Sequence, residues 1–246
     1  MSTILVTGSA SGIGAATVRR LARPGDQVMV HARNNRAGCE EVSKELATIG
    51  AATRSLLLDL AHEGAGTELV QETVRAFGRL DILVHAAGFP VRSVIGEASP
   101  ADFSHAFGVV TRAFFELTTA ALPFIVQANV GRVVAISSHN AHVFRTGYPV
   151  YPVSGSAKAA IETMIRSLAV QIAPSGATAN VVVPGLIRKA HGEQFLTPEE
   201  WSLFPRLIPM GRIGEPDEVA SVIEFLCSND ASYVTGQVIH VSGGLS

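Results

Sequence analysis

Directly after the apolar run Ile4-Leu5-Val6, the chain reads Thr7-Gly8-Ser9-Ala10-Ser11-Gly12-Ile13-Gly14. A strand that empties into a glycine turn and then a helix near Ile13 constrains the fold more than any other segment. The glycines differ in what they do. Gly8 makes the tight turn, Gly12 lets phosphates approach the backbone, and Gly14 lets helix and strand pack closely. The helix start adds unpaired N–H groups and the positive end of its dipole. Gly8, Ser11, Gly12, Ile13 and Gly14 together are built to hold a pyrophosphate.

Short β-branched runs alternate with helical patterns along the rest of the chain. Strands are predicted at 4–7, 27–31, 53–58, 82–85, 132–137, 178–183 and 238–241, and helices at 12–22, 36–49, 64–77, 100–126, 154–173 and 216–226. The strands are nearly continuous apolar runs, as expected when helices cover both faces of a sheet. This predicts an α/β fold with a doubly wound parallel sheet of about seven strands and right-handed crossovers. Residues 185–211 break the alternation with several prolines, the one tryptophan and little periodicity, and read as a substrate lid.

The 246 residues suit one large domain, and with 47% of them hydrophobic a sizeable core is available. A net charge of −2 makes no case for nucleic acid or an anionic membrane. No apolar run reaches the roughly 18–20 residues of a membrane span. The first strand opens at about Thr3, which leaves no room for a signal peptide. Cys39 and Cys227 fall far apart in predicted helices and read as buried thiols of a reduced compartment, so a cytoplasmic protein without a metal site is expected.

In open α/β sheets ligands bind beyond the carboxyl ends of the strands. The second strand ends in His31-Ala32-Arg33-Asn34-Asn35-Arg36, with no carboxylate to grip ribose hydroxyls. Arg33 and Arg36 could pair a 2′-phosphate, which favours NADP(H) over NAD(H); otherwise they are loop charges. Asp59, followed by Leu60, could bond the adenine amino group or cap the next helix. Ala86-Ala87-Gly88 lets the backbone run close under the nucleotide.

These segments, with Leu80-Asp81-Ile82-Leu83-Val84, Ile136-Ser137-Ser138, Lys158-Ala159-Ala160, Asn180 to Pro184-Gly185, and the tail from Gly211-Arg212-Ile213-Gly214-Glu215-Pro216 through Val234-Thr235-Gly236-Gln237 to Gly243-Gly244, carry a resemblance over the full length. The chain resembles the short-chain dehydrogenases/reductases. The resemblance implies a Rossmann-type homo-oligomer, a dimer or tetramer, that moves hydride between a nicotinamide and a substrate carbon. It also implies that Pro184, Gly185 and Ile187 seat the nicotinamide carboxamide, that Lys158 bonds its ribose, and that Ser138 bonds the substrate oxygen.

The family's acid is a tyrosine four positions before the lysine, on the same helical face. Here that position is Ser154, whose hydroxyl is far too weak an acid. The nearest phenol upstream is Tyr151, in Tyr151-Pro-Val-Ser-Gly-Ser-Ala-Lys158. This spacing resembles the enoyl-acyl-carrier-protein reductase branch, in which the tyrosine stabilises an enolate oxygen. Pro152 suits a first helical position and holds Tyr151 extended just outside the helix. Tyr148 is the reserve phenol, and His139 and His142 could also reach the pocket. Two further departures are Val110, where the family has an asparagine that holds a relay water, and His85, where it has an asparagine after the fourth strand.

The reading is an NADPH-dependent reductase of a conjugated enoyl or carbonyl substrate, using Ser138, Tyr151 and Lys158. Alternatives are a 3-oxoacyl or ketone reductase with an unusual acid, and a silent NADP(H)-binding sensor or scaffold. The apolar segments Gln194-Phe195-Leu196 and Trp201-Ser202-Leu203-Phe204 point to a hydrophobic small-molecule substrate, and Arg188 and Lys189 could meet an anionic group on it.

Overall fold

A computed structural model describes residues 1–188 and 197–246. The predicted alternation is present. In chain order the elements are β1 (Thr3–Thr7), α1 (Gly12–Leu21), β2 (Gln27–Ala32), α2 (Arg36–Thr48), β3 (Ala52–Leu57), α3 (Ala65–Phe77), β4 (Ile82–His85), α4 (Pro100–Phe107), α5 (Ala113–Ile125), β5 (Arg132–Ile136), α6 (Pro152–Ile172), β6 (Thr178–Pro184), α7 (Pro198–Leu207), α8 (Pro216–Cys227) and β7 (Val238–Val241). The seven strands form one sheet in the order β3-β2-β1-β4-β5-β6-β7, every pairing parallel. The order reverses between β1 and β4, which opens a crevice above their carboxyl ends.

β-branched residues stack across the central strands, with Val6 opposite both Val30 and Val84. Alternate residues face opposite sides. Leu5, Leu83, Val133 and Val181 join one core with Phe114, Leu117, Ile161 and Ile165 of α5 and α6. Ile4, Val6, Val30 and Val182 join the other with Val18, Val42 and Ile223 of α1, α2 and α8. Both faces are therefore covered and the fold is a single Rossmann-type domain. β3 departs from the continuous apolar pattern because it is an edge: Ala52, Arg54 and Ser55 are exposed.

Three corrections concern helices. The predicted 100–126 helix is interrupted by a π turn at Gly108–Arg112, between α4 and α5. As one helical stretch, Pro100–Ile125 is long and apolar enough to cross a membrane, with mean hydropathy 1.2. Its buried face forms part of the core just described. The expectation that no run has spanning length overlooked it because Asp102, Ser104 and His105 interrupt the apolar residues. Within the predicted irregular lid lies α7, started by a capping box in which Thr197 and Glu200 bond each other's backbone amides. Lys189, Gln194, Phe195 and Leu196 of the lid lie outside the described residues.

Candidate active site

The glycine loop has the shape expected of it. Gly8 and Gly12 take left-handed φ values of +67° and +54°. A Cβ on Gly14 would lie 2.3 Å from the Gly8 carbonyl oxygen, so only glycine allows this contact of α1 with the loop. A Cβ on Gly12 would meet nothing within 4 Å. The loop thus opens outward at Gly12, next to the first-turn amides of α1, for which Ser11 supplies no side-chain cap. This cradle fits a dinucleotide pyrophosphate.

Beside it, Thr7 Oγ1 accepts the Ala86 and Ala87 amides, each at 3.0 Å. It approaches His85 Nδ1 at 3.1 Å, while His85 Nε2 lies 3.1 Å from the Val110 carbonyl. That carbonyl can only accept, so Nε2 carries the hydrogen and Thr7 donates to Nδ1. His85 is fully buried, and burial, with the Lys158 charge adding to it, pushes the imidazole down to about 3. His85 is thus a neutral crosslink between β1, β4 and the π turn. Val110 offers no polar side chain, and its carbonyl is taken.

Asp59 is half-buried and accepts the Ala61 amide at 2.9 Å, a local turn rather than the predicted helix cap. The start of α3 is served instead by Glu116 of α5, which accepts the Gly64 and Gly66 amides. Leu60 is core. Arg33 and Arg36 are exposed at the end of β2, and neither guanidinium bonds a described residue.

The cleft above β4, β5 and β6 has a volume of about 260 Å³. Ile13, Gly88, Ser138, Tyr148, Tyr151, Ser154, Lys158, Pro184, Gly185 and Ile187 all line it, whereas Gly8, Ser11, Gly12, Gly14, Arg33, Asp59, Leu60 and Ala87 of the predicted site do not. Lys158 lies on the buried face of α6. Its Nζ donates to the Ile136 carbonyl at 2.6 Å and approaches that of Ala87 at 3.5 Å. Among the described residues no carboxylate neutralises it, and burial pushes the ammonium down to about 8. A Cβ on Gly88 would sit 2.9 Å from Nζ, which explains the glycine there.

Ser154, in the family's tyrosine position, is buried and accepts the Val91 amide at 3.1 Å. Tyr151 stands immediately before α6, with Pro152 at the first helical position, but its backbone, with φ −131° and ψ 65°, is not extended as the sequence predicts. Gly155 lets this end of α6 press against the turn after β5, since a Cβ there would lie 2.6 Å from the Asn140 carbonyl oxygen. Burial raises the Tyr151 phenol above its ordinary range, the nearby Arg92 partly opposing. Arg92 is paired with Glu200 of α7, across the mouth of the cleft.

The two candidate phenols differ in one respect. Tyr148 Oη lies 2.8 Å from His139 Nε2, and His139 Nδ1 lies 3.2 Å from the Pro184 carbonyl. The carbonyl fixes the hydrogen on Nδ1, so Tyr148 must donate its own hydrogen to Nε2. Burial pushes the His139 imidazole down to about 4, in keeping with a neutral ring. Tyr148 is therefore occupied as a donor, whereas no hydrogen bond from Tyr151 to a described residue competes for its proton.

The remaining candidates go elsewhere. His142 does not line the cleft but bonds Glu162 at 2.8 Å. Ser137 points away from Ser138, as strand alternation requires, and also donates to Glu162. Arg188 is paired with Glu215 at 2.8 Å. Asp81 and Asn180 are structural, bonding the Thr3 amide and the Val234 and Gln237 backbone respectively. Cys39 and Cys227 are both buried and free.

A glycine loop and a buried lysine beyond the carboxyl ends of a doubly wound parallel sheet are the arrangement of a Rossmann-type dinucleotide-binding fold. Residues 8–246 match the profile of a family described as enoyl-(acyl carrier protein) reductase. The chain is 35% identical over 245 residues to a (2S)-[(R)-hydroxy(phenyl)methyl]succinyl-CoA dehydrogenase subunit of Thauera aromatica, covering 98% of this chain and 95% of that one. It is 31% identical to a 3-oxoacyl-[acyl-carrier-protein] reductase of Thermotoga maritima, covering 98% and 96%. A short-chain dehydrogenase/reductase structure from Serratia marcescens superposes with a TM-score of 0.91 at 28% identity, covering 100% and 98%. The chain belongs to the short-chain dehydrogenase/reductase family, enzymes that bind NAD(P)(H).

Proposed function

We propose that this enzyme is an NADP(H)-dependent reductase acting on a conjugated enoyl or carbonyl group of a hydrophobic small molecule, with Tyr151 as the acid. The observation that carries this reading is the Tyr151 phenol at the head of α6, which bonds no described residue and lies on the same cleft as Lys158 and Ser138. When bound, the reduced nicotinamide supplies the hydride. Gly8, Ser11, Gly12, Ile13 and Gly14 would hold its pyrophosphate, Arg33 the 2′-phosphate, and Asp59 with Leu60 the adenine. Ala87, Gly88, Pro184, Gly185 and Ile187 would flank the nicotinamide end, and Lys158 would donate to the ribose. Ser138 would orient the substrate oxygen, and Tyr151, protonated at neutral pH, would donate to that oxygen as negative charge develops on it.

The test is NADPH oxidation with enoyl-CoA, 3-oxoacyl-CoA and quinone substrates. Turnover of enoyl-CoA or quinone, abolished by Tyr151→Phe, supports the proposal, whereas activity on 3-oxoacyl-CoA but not enoyl-CoA would favour the 3-oxoacyl reductase instead. Tight NADPH binding without turnover on any substrate would instead favour a silent sensor. For the cofactor preference, Arg33→Glu is expected to raise the NADPH KM by roughly 100-fold while changing the NADH KM by less than about three-fold. Equal effects on both would remove Arg33 from the 2′-phosphate.

Self-association as a dimer or tetramer belongs to the same proposal. Phe103 and Phe115, 50% and 61% exposed, both lie on the 100–125 helical stretch. Phe115→Glu is expected to shift the light-scattering mass to a smaller species. An unchanged mass would exclude this face as the contact.

A further inference from the structure

His31 has no role in the family pattern described above, yet it makes four hydrogen bonds at the carboxyl end of β2. Gly8 N–H points at His31 Nδ1 at 3.1 Å, and His31 Nε2 lies 3.0 Å from the Leu58 carbonyl. A backbone amide only donates and a carbonyl only accepts, so the ring is neutral with its hydrogen on Nε2. The backbone is pinned as well. Ser9 N–H donates to the His31 carbonyl at 2.9 Å, and His31 N–H donates to Ser9 Oγ at 2.9 Å. His31 is only 2% exposed, so water does not compete for these bonds.

We propose that His31 is a positioning residue for the dinucleotide, holding the Gly8 turn against β2 and β3 so that the pyrophosphate cradle is formed before the cofactor arrives. Without this anchor the Gly8 amide loses its buried acceptor. The loop must then be ordered by the ligand, at a cost taken from binding. Arg33 lies two residues further along the same strand end, so one mount carries both the cradle and the candidate 2′-phosphate ligand. The inference rests on the dinucleotide reading of the loop but not on the choice of substrate or acid.

The consequence differs from that of Arg33. The pyrophosphate is common to both dinucleotides, so His31 acts on NADPH and NADH alike. His31→Leu removes both ring bonds. In fluorescence titrations it is expected to weaken NADPH and NADH by the same factor, roughly 10- to 100-fold. His31→Asn keeps an acceptor near the Nδ1 position and is expected to restore affinity to within about five-fold of wild type. In both variants kcat at saturating NADPH stays within about two-fold. Affinity in His31→Leu within two-fold of wild type, a loss confined to NADPH, or an asparagine variant no better than leucine would overturn the inference. Should the leucine variant fail to fold by circular dichroism, His31→Thr, a good strand former too short to reach Gly8, replaces it under the same criteria. A wild-type protein that binds neither dinucleotide would instead remove the cofactor reading itself.

Discussion

Tyr151→Phe is expected to lower kcat by about 10³-fold while leaving the NADPH Kd within two-fold of wild type. The phenylalanine keeps the ring at the head of α6 and removes only the transferable proton. Tyr148→Phe removes a hydroxyl already donated to His139, and its expected loss in kcat is less than about ten-fold. The contrast between the two variants carries more weight than either alone, because both rings line the same cleft. Steady-state kinetics and fluorescence titration on the pair check it. A larger loss in Tyr148→Phe would make that residue the acid and His139 its partner.

The second large effect is on stability in mild acid. His31, His85 and His139 are each under 8% exposed, and burial holds them at about 4, about 3 and about 4. In the unfolded chain a histidine titrates near ~6.5. Below that pH the unfolded state binds more protons than the folded one, so stability falls as pH drops through 6.5 towards the folded values. At pH 5 each histidine costs about 2 kcal/mol, and the three together about 6 kcal/mol. That rivals the entire stability of many domains, roughly 5–15 kcal/mol. The urea midpoint is therefore expected to fall steeply between pH 6.5 and pH 4.5, mostly above the range where carboxylates titrate. His85→Asn should flatten the fall by about a third. A midpoint constant from pH 7 to pH 5 would show that these rings are not held neutral.

Lys158 produces a slope of the same sign on the alkaline side. Its folded value of about 8 lies below the ordinary 10.5, so stability rises with pH between the two. If Lys158 donates to the ribose as proposed, dinucleotide affinity falls over the same range as its ammonium loses its charge. Isothermal titrations at pH 7 and pH 9.5 check this, and Lys158→Arg should keep its affinity at both.

The order of elements was legible because short apolar runs alternate with period-3.6 patterns everywhere outside residues 185–211, and because the first glycine loop follows a strand and opens a helix. The edge character of β3 was masked by Leu56-Leu57-Leu58, although the polar Thr53-Arg54-Ser55 before them departs from the continuous apolar pattern. α7 escaped because Pro198 and Pro205 obscure a short amphipathic pattern, although Thr197-Pro-Glu-Glu200 is a readable helix start. Site residues that lie on strand ends or on α6 could be placed by counting along an element. The division of labour between the phenols could not. It depends on a histidine nine residues from Tyr148 and on a carbonyl of β6, and such pairings are set by tertiary contact alone. The four bonds of His31 escaped notice for the same reason.

Ser154 carries a consequence for how such an active site can change over time. Its hydroxyl fastens the Val91 amide, so the position four residues before Lys158 now secures the connection between β4 and α4. A tyrosine there would give up the fastening and crowd the segment it secures. Ser154→Tyr is therefore expected to destabilise the fold unless the connection after β4 is rebuilt with it.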